Sequence, residues 1–148
     1  DWYNLDAKRI YIPNSFDFTI QTVGVYGVYT LIKLACQFIT KTFDEFRKSE
    51  YIVNTSESTM ENAYDIVMYD KDHTFGKCME YLFHEKFFKD EAVLTYCGFL
   101  KRHPHDDYCI LRIAYKSDVG EDVVKKHIDA ACEDGSELFK SMEQLFIE

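Results

Sequence analysis

The sequence predicts an α+β fold in which an antiparallel sheet is covered by long packed helices. Three observations lead there. Helical spacing of apolar residues is sustained over two long stretches, Val28 to Phe46 and about 120 to 146. Between them lie three short β-rich runs, 64–70, 93–101 and 108–116, each of strand length. The last two are joined by a turn at His103 to Asp107, as in an antiparallel hairpin.

Residues 1–15 are polar and aromatic without a clean period and read as a loop or extended arm. Phe16, Phe18 and Ile20 then alternate with Asp17, Thr19 and Gln21, the pattern of a half-buried strand. Gly24 and Gly27 bracket a turn. From Val28, the residues Leu31, Ile32, Ala35, Phe38, Ile39, Thr42, Phe43 and Phe46 form a broad apolar helix face. Asp44 to Glu50 are charged, and the helix fades near Tyr51. Asn54 to Asn62 is small, polar and aperiodic, and reads as a linker. The chain thus divides into a strand-and-helix unit (1–53), a linker (54–62) and a second unit (63–148).

In the second unit strand 64–70 is followed by a helix over 74–88. Thr74 is the expected N-cap, its hydroxyl taking a first-turn amide. Phe75, Cys78, Met79, Leu82 and Phe83 recur at helical spacing and define the buried face. Gly76 sits in the first turn, where its helix propensity is poor. A glycine there implies that another backbone or side chain approaches closely. Along strand 108–116, Cys109, Leu111, Ile113 and Tyr115 face one way, and Ile110, Arg112 and Ala114 the other. The closing helix carries a heptad-like seam of Val124, Ile128, Ala131, Gly135, Leu138, Met142 and Leu145. Gly135 lets a partner helix come close, and the helix from Val28 is the expected partner through Leu31, Ala35 and Phe38.

Composition narrows the function classes. A chain of 148 residues with 47% apolar and 16% aromatic residues can bury one core or two small pieces sharing one. Its net charge of −9 argues against a nucleic-acid groove, which needs clustered Lys and Arg to displace counterions. Cys36, Cys78, Cys97, Cys109 and Cys132 show no Cys-x-x-Cys spacing and fall in apolar runs, as reduced core thiols do. No apolar run is long enough for a membrane span, and no signal peptide is visible. Asn54-Thr55-Ser56 is a sequon in form and reads as a chance occurrence without secretion. A first residue of Asp1 rather than Met leaves open a longer parent chain.

Catalytic constellations are thin. Asp72-His73-Thr74 has no serine, cysteine or second base at motif spacing and reads as capping and strand-end contacts. His103, His105 and Asp106 have metal-binding side chains, so a small metal-dependent enzyme is one alternative; a Pro- and Asp-rich turn is the other reading, and no metal is expected. Val23-Gly24-Val25-Tyr26-Gly27 lacks the Lys-Ser/Thr of a phosphate loop. No cofactor is indicated. A stand-alone α+β protein-interaction module is a further alternative.

Asp72-His73-Thr74-Phe75-Gly76, followed by Met79, Tyr81 and Leu82, resembles the helix-start motif of the smaller alpha-like subunit of eukaryotic and archaeal RNA polymerases. Bacterial alpha has a related Thr-Leu-Gly-Asn segment. Gly98-Phe99 and His103-Pro104 match that subunit's Gly-Tyr…His-Pro hairpin, and the closing helix ends the chain where the family ends. The resemblance covers Ala63 to Glu148, with two departures: Lys77 where the family has Asn and Glu80 where it has Arg. Before the linker, Phe18-Thr19-Ile20-Gln21-Thr22-Val23-Gly24 and the helix after it resemble the C-terminal end of the larger alpha-like subunit. Together they look like the tail of a fused pair, as in the RNA polymerases of large cytoplasmic DNA viruses.

The resemblance implies the alpha-like dimerisation fold and a non-catalytic platform subunit of a DNA-directed RNA polymerase. It implies docking of the large subunits around Thr74, Gly76, Lys77, Glu80 and Tyr81, with a contact charge that differs from the family's at Glu80. The other implied partner is the remainder of the larger alpha-like subunit. Direct sequence-specific contact with nucleic acid and contact with membrane are not expected. The implied setting is intracellular, in virion and host cytoplasm for a viral protein or the nucleus for a cellular one.

Overall fold

Four strands form one antiparallel sheet in the order β1-β2-β4-β3, with β1 at Ile52–Thr55, β2 at Ala63–Tyr69, β3 at Leu94–Leu100 and β4 at Tyr108–Tyr115. The computed structural model describes residues 1–13, 15–49 and 51–146; Asn14, Glu50, Ile147 and Glu148 lie outside, and with them the ends of the predicted charged stretch and of the second unit. Register follows the alternation. Ile66 pairs with Leu111 and Met68 with Cys109, while Cys97 pairs with Ile113 on the other side of β4. Cross-strand partners share a face, so these residues make a single apolar surface. Ile66, Met68, Cys109, Leu111 and Ile113 on it are fully buried.

Three helices cover that surface: α1 at Val28–Lys48, α2 at His73–Phe83 and α3 at Glu121–Glu143. Phe43, Phe46, Phe75, Met79, Phe83, Val124 and Ile128 join the sheet residues in one continuous core. The predicted helix over 74–88 is in fact α2 followed by a π-helical segment, His84–Asp90. The wider π turn keeps Phe87 in the core beside Phe83, with ring centroids 5.2 Å apart.

Among the described residues no helix lies on the opposite face of the sheet. There Arg112 clamps Asp65 across β2 and β4, its Nε and Nη2 donating to Oδ1 and Oδ2 at 2.6 and 2.7 Å. That hydrogen-bonded pairing holds the Asp65 carboxyl below its usual range. Ile110 and Ala114 share this face and are nonetheless buried among their neighbours.

Two strand predictions differ. Phe16–Gln21 is not a strand: residues 15–23 have no regular structure, and Phe16 and Phe18 are 75% and 85% exposed. Alternation makes a strand only when a neighbouring strand supplies hydrogen bonds, and none among the described residues does so here. Conversely, Asn54 and Thr55, assigned to a linker, belong to β1 and pair with Asp65 and Tyr64. Four residues are too few to show a period. The rest of 54–62 is the β1–β2 connection, closed where the Ser56 amide donates to the Ala63 carbonyl at 2.8 Å.

Helices α1 and α3 run antiparallel. Gln37 Nε2 donates to Glu143 Oε1 at 2.6 Å near one end, and Arg47 Nη2 meets Glu133 Oε1 at 2.5 Å near the other. Between them the Phe43 ring lies over Gly135, where an added Cβ would come within 2.7 Å of it. The pairing face differs from the predicted one. Leu31 is half-buried, but Ala35 and Phe38 are exposed, Phe38 by 72%; the buried residues of α1 are Cys36, Thr40, Phe43 and Phe46. On α3, Val124, Ile128, Ala131 and Gly135 are buried as the seam requires, whereas Leu138 and Met142 are 43% and 36% exposed.

Candidate functional site

The start of α2 lies at the end of the sheet where β2 leaves and the β3–β4 turn returns. Asp72, not Thr74, is the N-cap: its Oδ1 accepts from the Thr74 and Phe75 amides at 3.0 and 3.2 Å. Both residue types suit that position, and a two-residue shift of the helix start decides between them. The shift leaves Thr74 on the exposed first turn.

Gly76 is where β3 and α2 touch. A Cβ there would overlap the ring of Phe99, so only glycine admits that ring. Four residues on, Glu80 Oε1 accepts the Phe99 amide at 3.0 Å and Oε2 pairs with Lys77 Nζ at 2.5 Å. The Lys77 ammonium in turn lies 5.7 Å from the Phe99 ring centroid. The Cys97 thiol beside them donates weakly to the Glu80 carbonyl, and burial pushes it up to about 12, so it is inert. Helix and hairpin are therefore fastened by Gly76, Glu80 and Phe99 acting together.

This divides the five residues assigned to docking. Gly76 is buried and Glu80 is turned inward, with 24% of its side chain exposed. Glu80 is thus a fastener of β3 rather than an open contact residue, because an otherwise unpaired strand-edge amide lies within its reach. Thr74, Lys77 and Tyr81 remain outward, Tyr81 by 58%. His73 joins them, its ring edge on Phe99 at 5.2 Å. The two departures from the motif, Lys77 and Glu80, turn out to be partners of each other. Next to this surface a groove of about 520 Å³ opens between α1 and α2, lined by Ala35, Phe38, Ile39, Thr74 and Phe75.

The other candidates do not converge. His103, His105 and Asp106 build their own turn: the His103 amide donates to Asp106 Oδ2 at 3.0 Å, and the His105 amide to His103 Nδ1 at 3.2 Å. Among the described residues no group of three His, Cys, Asp or Glu side chains has an arrangement fit for a metal ion, and no helix is long and apolar enough to cross a membrane. Sequence reasoning read Asp72-His73-Thr74 as capping contacts but put the cap on Thr74 rather than Asp72, and it did not foresee the contact of Phe99 with Gly76, which only the strand register makes. No protein-family model matches the sequence, and no curated protein matches it.

Proposed function

We propose that this chain is a non-catalytic assembly subunit of a multisubunit DNA-directed RNA polymerase, with alpha-like halves paired through α1 and α3. Thr74, Lys77, Tyr81 and His73 form the surface that docks a large subunit. One observation carries the reading: the Asp72–Gly76 motif opens a helix that lies between β2 and the β3–β4 hairpin. It is fastened there to Phe99, half of the Gly98-Phe99 pair that the resemblance also uses. The antiparallel α1–α3 pair supports the two-halves part of the reading. In this role the chain performs no chemistry of its own. Its net charge of −9 suits contact with protein more than with nucleic acid.

Because Lys77 is paired with Glu80, the contact presents Tyr81 and the Thr74 hydroxyl rather than a free cation. The test is purification of the tagged chain from the cells or particles that make it, followed by mass spectrometry. Wild type should bring down large polymerase subunits. Thr74→Ala combined with Tyr81→Ala should lose at least ten-fold of them while thermal unfolding stays where it was. Absence of those subunits from the wild-type preparation overturns the proposal.

A further inference from the structure

We infer that residues 16–22 are a strap that closes within the same chain over the groove between α1 and α2, and that a docking large subunit displaces it. The displacement rests on the docking reading; the closure does not. An apolar path leads from the start of α1 to the groove. Leu31, Leu34, Ala35 and Phe38 follow one another at i, i+3, i+4 and i+7 along one side of the helix. Leu31 is half-buried, Ala35 is exposed, and Leu34 and Phe38 are 45% and 72% exposed. The path runs into the groove of about 520 Å³, where Phe38 stands with Ile39 and Phe75.

The strap brings matching chemistry. Phe16, Phe18 and Ile20 are 75%, 85% and 44% exposed, the two phenyl rings lie 6.4 Å apart, and none of the three belongs to the core. In an extended segment they share one side, with Asp17, Thr19 and Gln21 on the other. Among the described residues no backbone hydrogen bond ties 16–21 to the body, so closing the strap breaks none. Two glycines supply the turn. Gly24 sits at φ +89° with its amide donating to the Thr22 hydroxyl at 3.0 Å, and Gly27 is the N-cap of α1. Glycine adopts that left-handed backbone without steric penalty, which lets the chain reverse there.

Reach selects this occupant over others. Phe18 lies ten residues before Val28, and Phe38 ten residues after it. Ten helical residues place Phe38 about 15 Å along α1. A flexible tether of ten residues spans about 16–19 Å on average. Effective concentration is greatest where tether length matches the span, and is then in the millimolar range. A segment of another chain, or the strap of a second copy, competes only at a comparable concentration. Charge does not oppose closure: the groove is edged by Lys41, Glu45, Asp70, Lys71 and Asp72, and the strap carries one charge, Asp17. Because Thr74 and Phe75 line the same groove, a closed strap and a docked large subunit exclude each other.

Photo-crosslinking tests the inference, with p-benzoylphenylalanine at position 18 of the full chain. Irradiation of the isolated chain should link position 18 to the stretch from Ala35 to Thr42, or to Phe75, within one molecule and at a yield independent of protein concentration. Phe38→Glu should cut that yield at least five-fold, whereas Thr19→Glu, on the other side of the strap, should leave it unchanged. Both side chains are exposed, so the body folds in either variant. In the complex purified through this chain the link should fall at least ten-fold. Absence of a link to the groove, a link that joins two copies or grows with concentration, or equal effects of the two variants would overturn the strap. A link that persists undiminished beside bound large subunits would overturn its displacement. A preparation without large subunits would overturn the docking reading and the displacement together, and the isolated chain decides the strap in either case.

Discussion

Helices α1 and α3 are almost the same length, 21 and 23 residues, yet they use their apolar surfaces differently. The seam of α3 from Val124 to Gly135 is buried between the sheet, α2 and α1: Leu82 lies 2.9 Å and Phe43 2.7 Å from where a Cβ on Gly135 would be. α1 buries one edge, with Phe43 at 0% and Phe46 at 3% exposure, and leaves Leu34 and Phe38 open on another. Periodicity tells how wide an apolar stripe is, but not how many neighbours it serves. The stripe of α3 matches the neighbours present, and that of α1 is wide enough for one more.

The widest gap between the two situations lies within α1 itself. Phe43→Ala removes a fully buried ring and should destabilise the chain by about 3–5 kcal/mol. Phe38→Ala, five residues earlier, should stay within about 0.5 kcal/mol. Chemical denaturation of both variants measures the contrast, and equal losses would erase the distinction between filled and open faces. On the α3 side, Gly135→Leu should overpack the contact with Phe43 and Leu82 by about 1–3 kcal/mol. A solvent-facing glycine would instead gain several tenths of a kcal/mol or more from improved helix propensity, so the sign of the shift in melting temperature decides.

A smaller effect separates fastening from docking. Glu80→Ala leaves the Phe99 amide without its acceptor and should lose about 0.5–1.5 kcal/mol. Tyr81→Ala should change thermal stability by less than about 0.5 kcal/mol. The smallest effect is a pH dependence on α3. Burial against Phe87 and Tyr115 holds the His127 imidazole below its ordinary range, opposed by Glu91 and reinforced by Lys86. The Tyr115 hydroxyl, itself pushed up by burial, lies within hydrogen-bond distance of Nδ1 at 2.8 Å. Below the unfolded value of about 6.5 the unfolded chain binds the extra proton first. Stability is therefore full above that pH and falls as pH drops through the folded value, with a slope of at most about 1.4 kcal/mol per unit. Denaturation between pH 7 and 5 should show the decline, and His127→Phe should flatten it.

Much of the body was legible in the sequence because long periods average out local accidents. The seven- and eight-residue strands β2, β3 and β4 and the helix α3 all lie within a few residues of where alternation and heptad spacing put them. Gly76 and Gly135, singled out as close approaches, meet Phe99 and Phe43. What was not legible depends on partners distant in sequence. Ala35 and Phe38 look as apolar as Phe43, and only the packing of α3 selects Cys36, Thr40 and Phe43. Glu80 reads as a surface charge until the register of β3 brings the Phe99 amide to it. The strand pattern of Phe16 to Gln21 stays a pattern because none of the strands among the described residues pairs with it.

Native mass spectrometry of the complex purified through this chain tests the proposed function most directly. The account predicts large polymerase subunits together with one copy of this chain and no second alpha-like chain, since α1 and α3 already pair within one polypeptide. Two copies of the chain, a separate smaller alpha-like subunit beside it, or a complex without large polymerase subunits would contradict it.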